Sequence, residues 1–128
     1  MNYRDAVELR LLTEDDNLRT PHLPSTKQGE YQDPTGETRT VTLYQPFRSE
    51  QGSGSKFSVY VENPDTGNVN KIGFGDPDME IRRDNKDNLR NFRSRHSCDS
   101  YTDSDKHKPG FWSCVFWRSD LTVTDILN

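Results

Sequence analysis

Apolar residues are scarce in this chain. Only 29% of its 128 residues are hydrophobic and 30% are charged, whereas globular domains carry roughly 45–50% apolar residues by a count that includes glycine. A compact core can therefore be built from part of the chain and not from all of it. No run approaches the roughly 18 apolar residues of a membrane span, which excludes a spanning helix. The opening "MNYRDAVELR" lacks the basic-then-apolar layout of a secretory leader, so the expectation is a soluble, non-secreted protein. Excess positive charge is also missing. The net charge is −4, and residues 1–50 alone hold six basic against nine acidic side chains. That balance argues against binding nucleic acid through bulk charge. One local exception exists: residues 71–96 hold seven basic and five acidic groups.

Apolar patterning then divides the chain. Residues 1–12 fit a short helix with Ala6, Leu9 and Leu12 along one face. Residues 13–38, "TEDDNLRTPHLPSTKQGEYQDPTGET", contain three prolines and two glycines and cannot supply a core. We expect residues 1–38 to form a helix followed by an extended arm held by partners, and residues 39–128 to form one small domain. "RTVTLYQ" (39–45) alternates as a strand with Val41 and Leu43 on one side. "KFSVYVEN" alternates Phe57, Val59 and Val61 against Lys56, Ser58, Tyr60 and Glu62. It joins "NVNKIGFG" through Pro64-Asp65-Thr66-Gly67, a hairpin whose turn uses Gly67 for positive φ. "DNKDNLRNFRSRHS" reads as a helix capped by Asp84, with Asp87 in its first turn. "FWSCVFW" (111–117) reads as a short strand or buried turn, and "LTVTDILN" as a last short element. The fold class this predicts is α+β, a small antiparallel sheet with one main helix and an extended N-terminal arm.

The segment "KFSVYVENPDTGNVNKIGFGDPDMEIRRD", followed by "FRSRHSCD" and "PGFWSCVFW", resembles a family of small uncharacterised proteins of tailed bacteriophages. A related pattern occurs in giant DNA viruses. The resemblance covers about residues 43–117 and is specific in order and spacing. It implies a viral protein, found in the virion or the host cytoplasm, and brings no activity with it. The giant-virus pattern has other residues where Cys98 and Cys114 stand, which implies that cysteine chemistry is dispensable.

Four chemistries compete around residues 82–117. His96, Cys98, His107 and Cys114 are the residue types of a zinc site. There is no Cys-x-x-Cys, however, and His107 sits in the loop "DSDKHKPG". The reading preferred over zinc is a pair of reduced cysteines packed near the aromatics, with a Cys98–Cys114 disulfide as the other alternative. A Cys98–His96 nucleophile is disfavoured because two residues two apart on a helix end point about 200° apart. Residues 77–82, "PDMEIR", are a poor nuclease match, too closely spaced and without lysine. Arg82, Arg83, Arg90, Arg93 and Arg95 are candidates for phosphate or for carboxylates at a protein interface. Leu89, Phe92 and His96 share a helix face, and we expect it to pack against Trp112 and Trp117 as a structural cluster. No catalytic residues, resident metal or cofactor are assigned. The reading is a non-enzymatic structural or assembly component, such as a minor head, cement or connector protein. It would contact other viral structural proteins through residues 13–38. An intracellular nucleic-acid-binding or regulatory protein is the alternative.

Overall fold

A computed structural model describes residues 20–78, 85–118 and 120–127. Its class is α+β. The most regular part is the expected hairpin, β4 (Phe57–Glu62) and β5 (Val69–Phe74), paired antiparallel from Phe57↔Phe74 to Glu62↔Val69. In its turn Gly67 takes φ 75° and donates its N–H to the Asn63 carbonyl at 2.7 Å. The Asn63 side chain accepts from the Asp65 N–H at 2.8 Å.

The same turn chemistry occurs once more, earlier in the chain. β1 (Lys27–Gln32) and β2 (Thr38–Leu43) pair antiparallel from Lys27↔Leu43 to Gln32↔Thr38. Between them lies Asp33-Pro34-Thr35-Gly36, with Gly36 at φ 90° and its N–H on the Asp33 carbonyl at 2.9 Å. Asp33 Oδ1 accepts from the N–H groups of Thr35 and Glu37, each at 3.0 Å. This corrects the expected arm: residues 27–32 are an edge strand, and the sheet begins at Lys27 rather than at residue 39. β1 has few apolar residues because it needs few; only Gly29 and Tyr31 are half-buried, and the rest face solvent. The expected helix over residues 1–12, and residues 13–19 of the arm, lie outside the described residues.

β4 is the hub of the sheet. One edge carries β5. The other is shared by β3 (Phe47–Arg48), antiparallel at Phe47↔Ser58, and by the end of β2, parallel at Leu43↔Tyr60. Tyr44 turns the chain between those two contacts. It adopts φ 66°, unusual for a bulky residue, and is held by its N–H on the Tyr60 carbonyl at 2.9 Å. Its hydroxyl accepts the Glu62 N–H at 3.4 Å. The apolar side of the alternation read in β4 is present, with Phe57, Val59 and Val61 at most 1% exposed, but Ser58 on the other side is buried too, at 4%.

Three helices cover this sheet's inner face and flank: α1 (Lys86–Arg95), α2 (Pro109–Val115) and α3 (Val123–Leu127). α1 is capped by Asn85, whose Oδ1 accepts from Asp87 N–H at 2.9 Å and Asn88 N–H at 3.1 Å. Asp84, the cap expected from the sequence, lies outside the described residues, and the acidic Asp87 stands in the first turn as expected. "FWSCVFW" is a second correction. Its first residues belong to helix α2, not to a strand. Pro109 occupies the first turn, where its missing N–H costs nothing. Phe111, Trp112, Cys114, Val115 and Phe116 are all at most 1% exposed. A segment buried on nearly every side carries no polar face, so it has no period to read. These aromatics meet Leu43, Phe57, Val59, Val61, Phe74 and Ile126 in one core. Burying Trp112 alone removes roughly 150–250 Å² from water, an upper bound of about 4–6 kcal/mol.

Candidate functional site

A concavity opens between α1, α2 and the β4–β5 hairpin. Its volume is about 390 Å³, within the range of ligand-sized clefts. The floor is aromatic. Phe57 stacks on Phe116 with centroids 4.3 Å apart, and Phe74 lies 5.3 Å from Phe116. The wall is a three-ring stack, with Phe92 4.3 Å from Trp117 at 10° between planes and 4.1 Å from His96 at 27°. Lys56, Gly75, Asp76, Arg95, His96 and Ser113 complete the lining.

The structural cluster read from the sequence is split. Phe92, His96 and Trp117 meet as expected. Trp112 instead enters the main core, its Nε1–H donating to the Lys106 carbonyl at 2.8 Å and its ring edge-on to Phe111 at 5.2 Å. Leu89 is 4% exposed on the buried side of α1. His96 is the C-terminal cap residue of α1, its N–H on the Phe92 carbonyl at 3.0 Å, and the next N–H, of Ser97, is on the Ser94 carbonyl at 3.2 Å. Neither tryptophan's neighbourhood was separable from sequence, because a seven-residue helix buried on nearly every side does not say which face meets the sheet, and Trp117 lies past its end.

What holds the wall to the floor is covalent. Cys98, in a 3₁₀ turn directly after α1, is joined to Cys114 of α2 by a disulfide with Cα atoms 5.4 Å apart. Both residues are fully buried. This corrects the preference for reduced cysteines. It also removes both thiolates from the zinc set. His96 is exposed, His107 half-buried, and among the described residues no group of three or more His, Cys, Asp or Glu side chains could hold a metal. The bond closes a separation of 16 residues, worth about 3 kcal/mol if its effect is mainly on the unfolded chain.

The arginines do not form one basic face. Arg82 and Arg83 lie outside the described residues. Arg90 and Arg95 are exposed on α1, Arg95 donating from Nε to the Asn91 carbonyl at 3.4 Å. Arg93 is a correction, since it is only 4% exposed and cannot meet phosphate. It donates to Asp99 Oδ1 at 3.0 Å, to Thr20 Oγ1 at 3.0 Å and to the Trp117 carbonyl at 3.4 Å. Burial lowers its pKa from the ordinary value, and the hydrogen bond and charge of Asp99 pull it back. Sequence reasoning missed its counterpart, Arg118, which is 8% exposed. Arg118 grips Asp120 through two parallel bonds of 3.0 and 2.7 Å and donates to the Pro21 carbonyl at 3.3 Å. Together the two guanidiniums anchor Thr20 and Pro21, so the first described residues of the N-terminal segment are bound by this chain's own helical half. A signal existed in the pair Arg118…Asp120, but nothing local says that it is buried.

Among the described residues no helix is long and apolar enough to cross a membrane. No protein-family model, no curated protein and no solved structure matches this chain.

Proposed function

We propose that this chain is a non-enzymatic viral structural or assembly protein that works through protein–protein contacts. The observation that carries this reading is the aromatic cleft of Phe57, Phe74, Phe92, Phe116 and Trp117, open to solvent and rimmed by polar side chains. Phe92 and Trp117 are half-buried above a floor of buried rings, and half-buried rings beside a concavity are what partner side chains pack against. The phage-like motif order of residues 43–117 supplies the viral context. The disulfide fits the same reading, because a particle released from a reducing cytoplasm meets oxidising surroundings in which such a bond persists.

Mass spectrometry of purified virions and of assembly intermediates tests the proposal. The expected result is recovery of this chain in at least one of them, and its absence from all would sink the idea. A second reading, nucleic-acid binding during infection, draws on Arg95 beside the Phe92–Trp117 stack, since cation and ring together suit an unpaired base. It requires a salt-dependent mobility shift with single-stranded oligonucleotide that disappears on replacing Arg90 and Arg95.

A further inference from the structure

We infer that the Cys98–Cys114 bond is an oxidation latch for the N-terminal segment: closed, it fixes Thr20 and Pro21 against the helical half, and open, it lets them go.

The clamp on that segment has two arms, and each leaves from one end of the disulfide. Cys98 opens the 3₁₀ turn Cys98–Ser100. The next residue, Asp99, accepts from Thr20 Oγ1 and from Arg93 Nη2, each at 3.0 Å. Arg93 Nη2 also donates to Thr20 Oγ1 at 3.0 Å, which closes a triangle. On the other arm, Trp117 and Arg118 follow Cys114 by three and four residues. The Trp117 carbonyl accepts from Arg93 at 3.4 Å, and Arg118 Nη1 donates to the Pro21 carbonyl at 3.3 Å. Pro21 is under 2% exposed, whereas His22, Leu23, Ser25 and Thr26 are exposed. Among the described residues ahead of β1, Thr20 and Pro21 are therefore the ones gripped, and the grip depends on the spacing of the two arms.

The bond sets that spacing. Ser97, between α1 and the 3₁₀ turn, sits at φ 51°, a conformation that L-residues disfavour. Asp99 lies beyond this hinge from Arg93. With Cys98 uncoupled from α2 the hinge is free to relax and to carry Asp99 away from its partners. Closure is thiol–disulfide exchange: the two thiols pass two electrons and two protons to a small-molecule disulfide, which leaves as two thiols, while the Sγ–Sγ bond forms. Once joined, Cys98 and Cys114 are 0% exposed, so a reductant reaches the bond only when the clamp opens. By linkage, docking of the segment favours the bond by the same factor that the bond favours docking.

The full chain is purified with dithiothreitol, and half of it is oxidised with glutathione disulfide, mass spectrometry confirming the loss of two hydrogens. Trypsin is added to both halves, and cleavage of the Arg19–Thr20 bond is followed by mass, since such cleavage tracks the open population. The expected result is cleavage at least about tenfold slower in the oxidised chain, with equal rates after Lys71 in β5. Thr20→Val takes the hydroxyl out of the clamp and leaves the Arg93–Asp99 pair. It should shrink the ratio of reduced to oxidised rates below about threefold and shift the thiol–disulfide equilibrium in a glutathione buffer toward the thiols. Replacing Cys98 and Cys114 by serine should give the reduced chain's rate whether or not glutathione disulfide is added. Equal Arg19–Thr20 cleavage in both forms, a slowing after Lys71 as large as after Arg19, or an unchanged ratio in Thr20→Val would overturn the inference.

Discussion

The two halves of this molecule are held by different forces. Residues 27–74 form a sheet whose neighbours are mostly neighbours in sequence: two hairpins, each with a six-pair register and a turn built on Asx and glycine chemistry. Residues 85–127 form helices of ten, seven and five residues. Helices that short are marginal alone in water, where isolated ones need about 12–15 residues. They persist through contacts distant in sequence: the Cys98–Cys114 bond, the Phe92–Trp117 stack, and Arg93 and Arg118 reaching back to Thr20 and Pro21. Local instructions are sufficient for the hairpins, whereas the helical half depends on being assembled.

The largest effect should come from the core that both halves share. Trp112→Ala should cost about 3–5 kcal/mol, measured by urea denaturation, with sheet and helix signals lost together. Separate transitions would mean that the halves are independent. Next is the bond that only the helical half owns. Replacing Cys98 and Cys114 by serine should cost about 2–4 kcal/mol. Hydrogen exchange should then accelerate in residues 86–95 ahead of 57–62. Equal acceleration in both would erase the contrast.

Smaller still are the turns. An added Cβ at Gly36 or Gly67 meets nothing within 4 Å, so only positive φ opposes it. Gly36→Ala and Gly67→Ala should each cost about 1 kcal/mol, read as shifts in the urea midpoint. A much larger loss at Gly67 would show that the central hairpin's turn does more than set a backbone angle. The smallest effect concerns pH. Chiefly the Thr35 hydroxyl bond, aided by the Glu37 and Thr35 N–H groups and by Arg39, holds the Asp33 carboxyl below its ordinary 3.8. Its contribution is therefore fully present above that value and fades as pH falls through the lower folded one. Urea midpoints of the wild type and of Asp33→Asn, compared from about pH 7 to about pH 2, should converge at the acid end. A gap that persists unchanged would assign the turn's stability to shape and not to charge.

Legibility follows the same division. The β4–β5 hairpin could be read residue by residue, because alternation, turn length and Gly67 all act within a few residues of one another. The first hairpin carries an equally explicit turn, Asp33-Pro34-Thr35-Gly36. Its strand β1 is harder to read, because an edge strand with one large apolar side chain, Tyr31 on Tyr60, shows no apolar alternation. α1 was legible from the spacing of Leu89 and Phe92, though its cap lies one residue later than expected. α2 was not, since every residue from Phe111 to Phe116 except Ser113 is buried. Arg93 looked like its exposed neighbours Arg90 and Arg95. Two or three residues separate a surface cation from a buried one, and only the packed partners Asp99, Thr20 and Trp117 tell them apart.

By itself, then, the amino-acid order determined the α+β class, the central hairpin and the main helix, since each rests on periodicity and turn chemistry acting over a few residues. Tertiary structure decided the pairing of Cys98 with Cys114, the burial of Arg93 and Arg118, and the cleft between Phe57, Phe74, Phe92, Phe116 and Trp117. Those features join residues from separate elements, and the distance between such residues depends on how the elements pack, which no local spacing encodes.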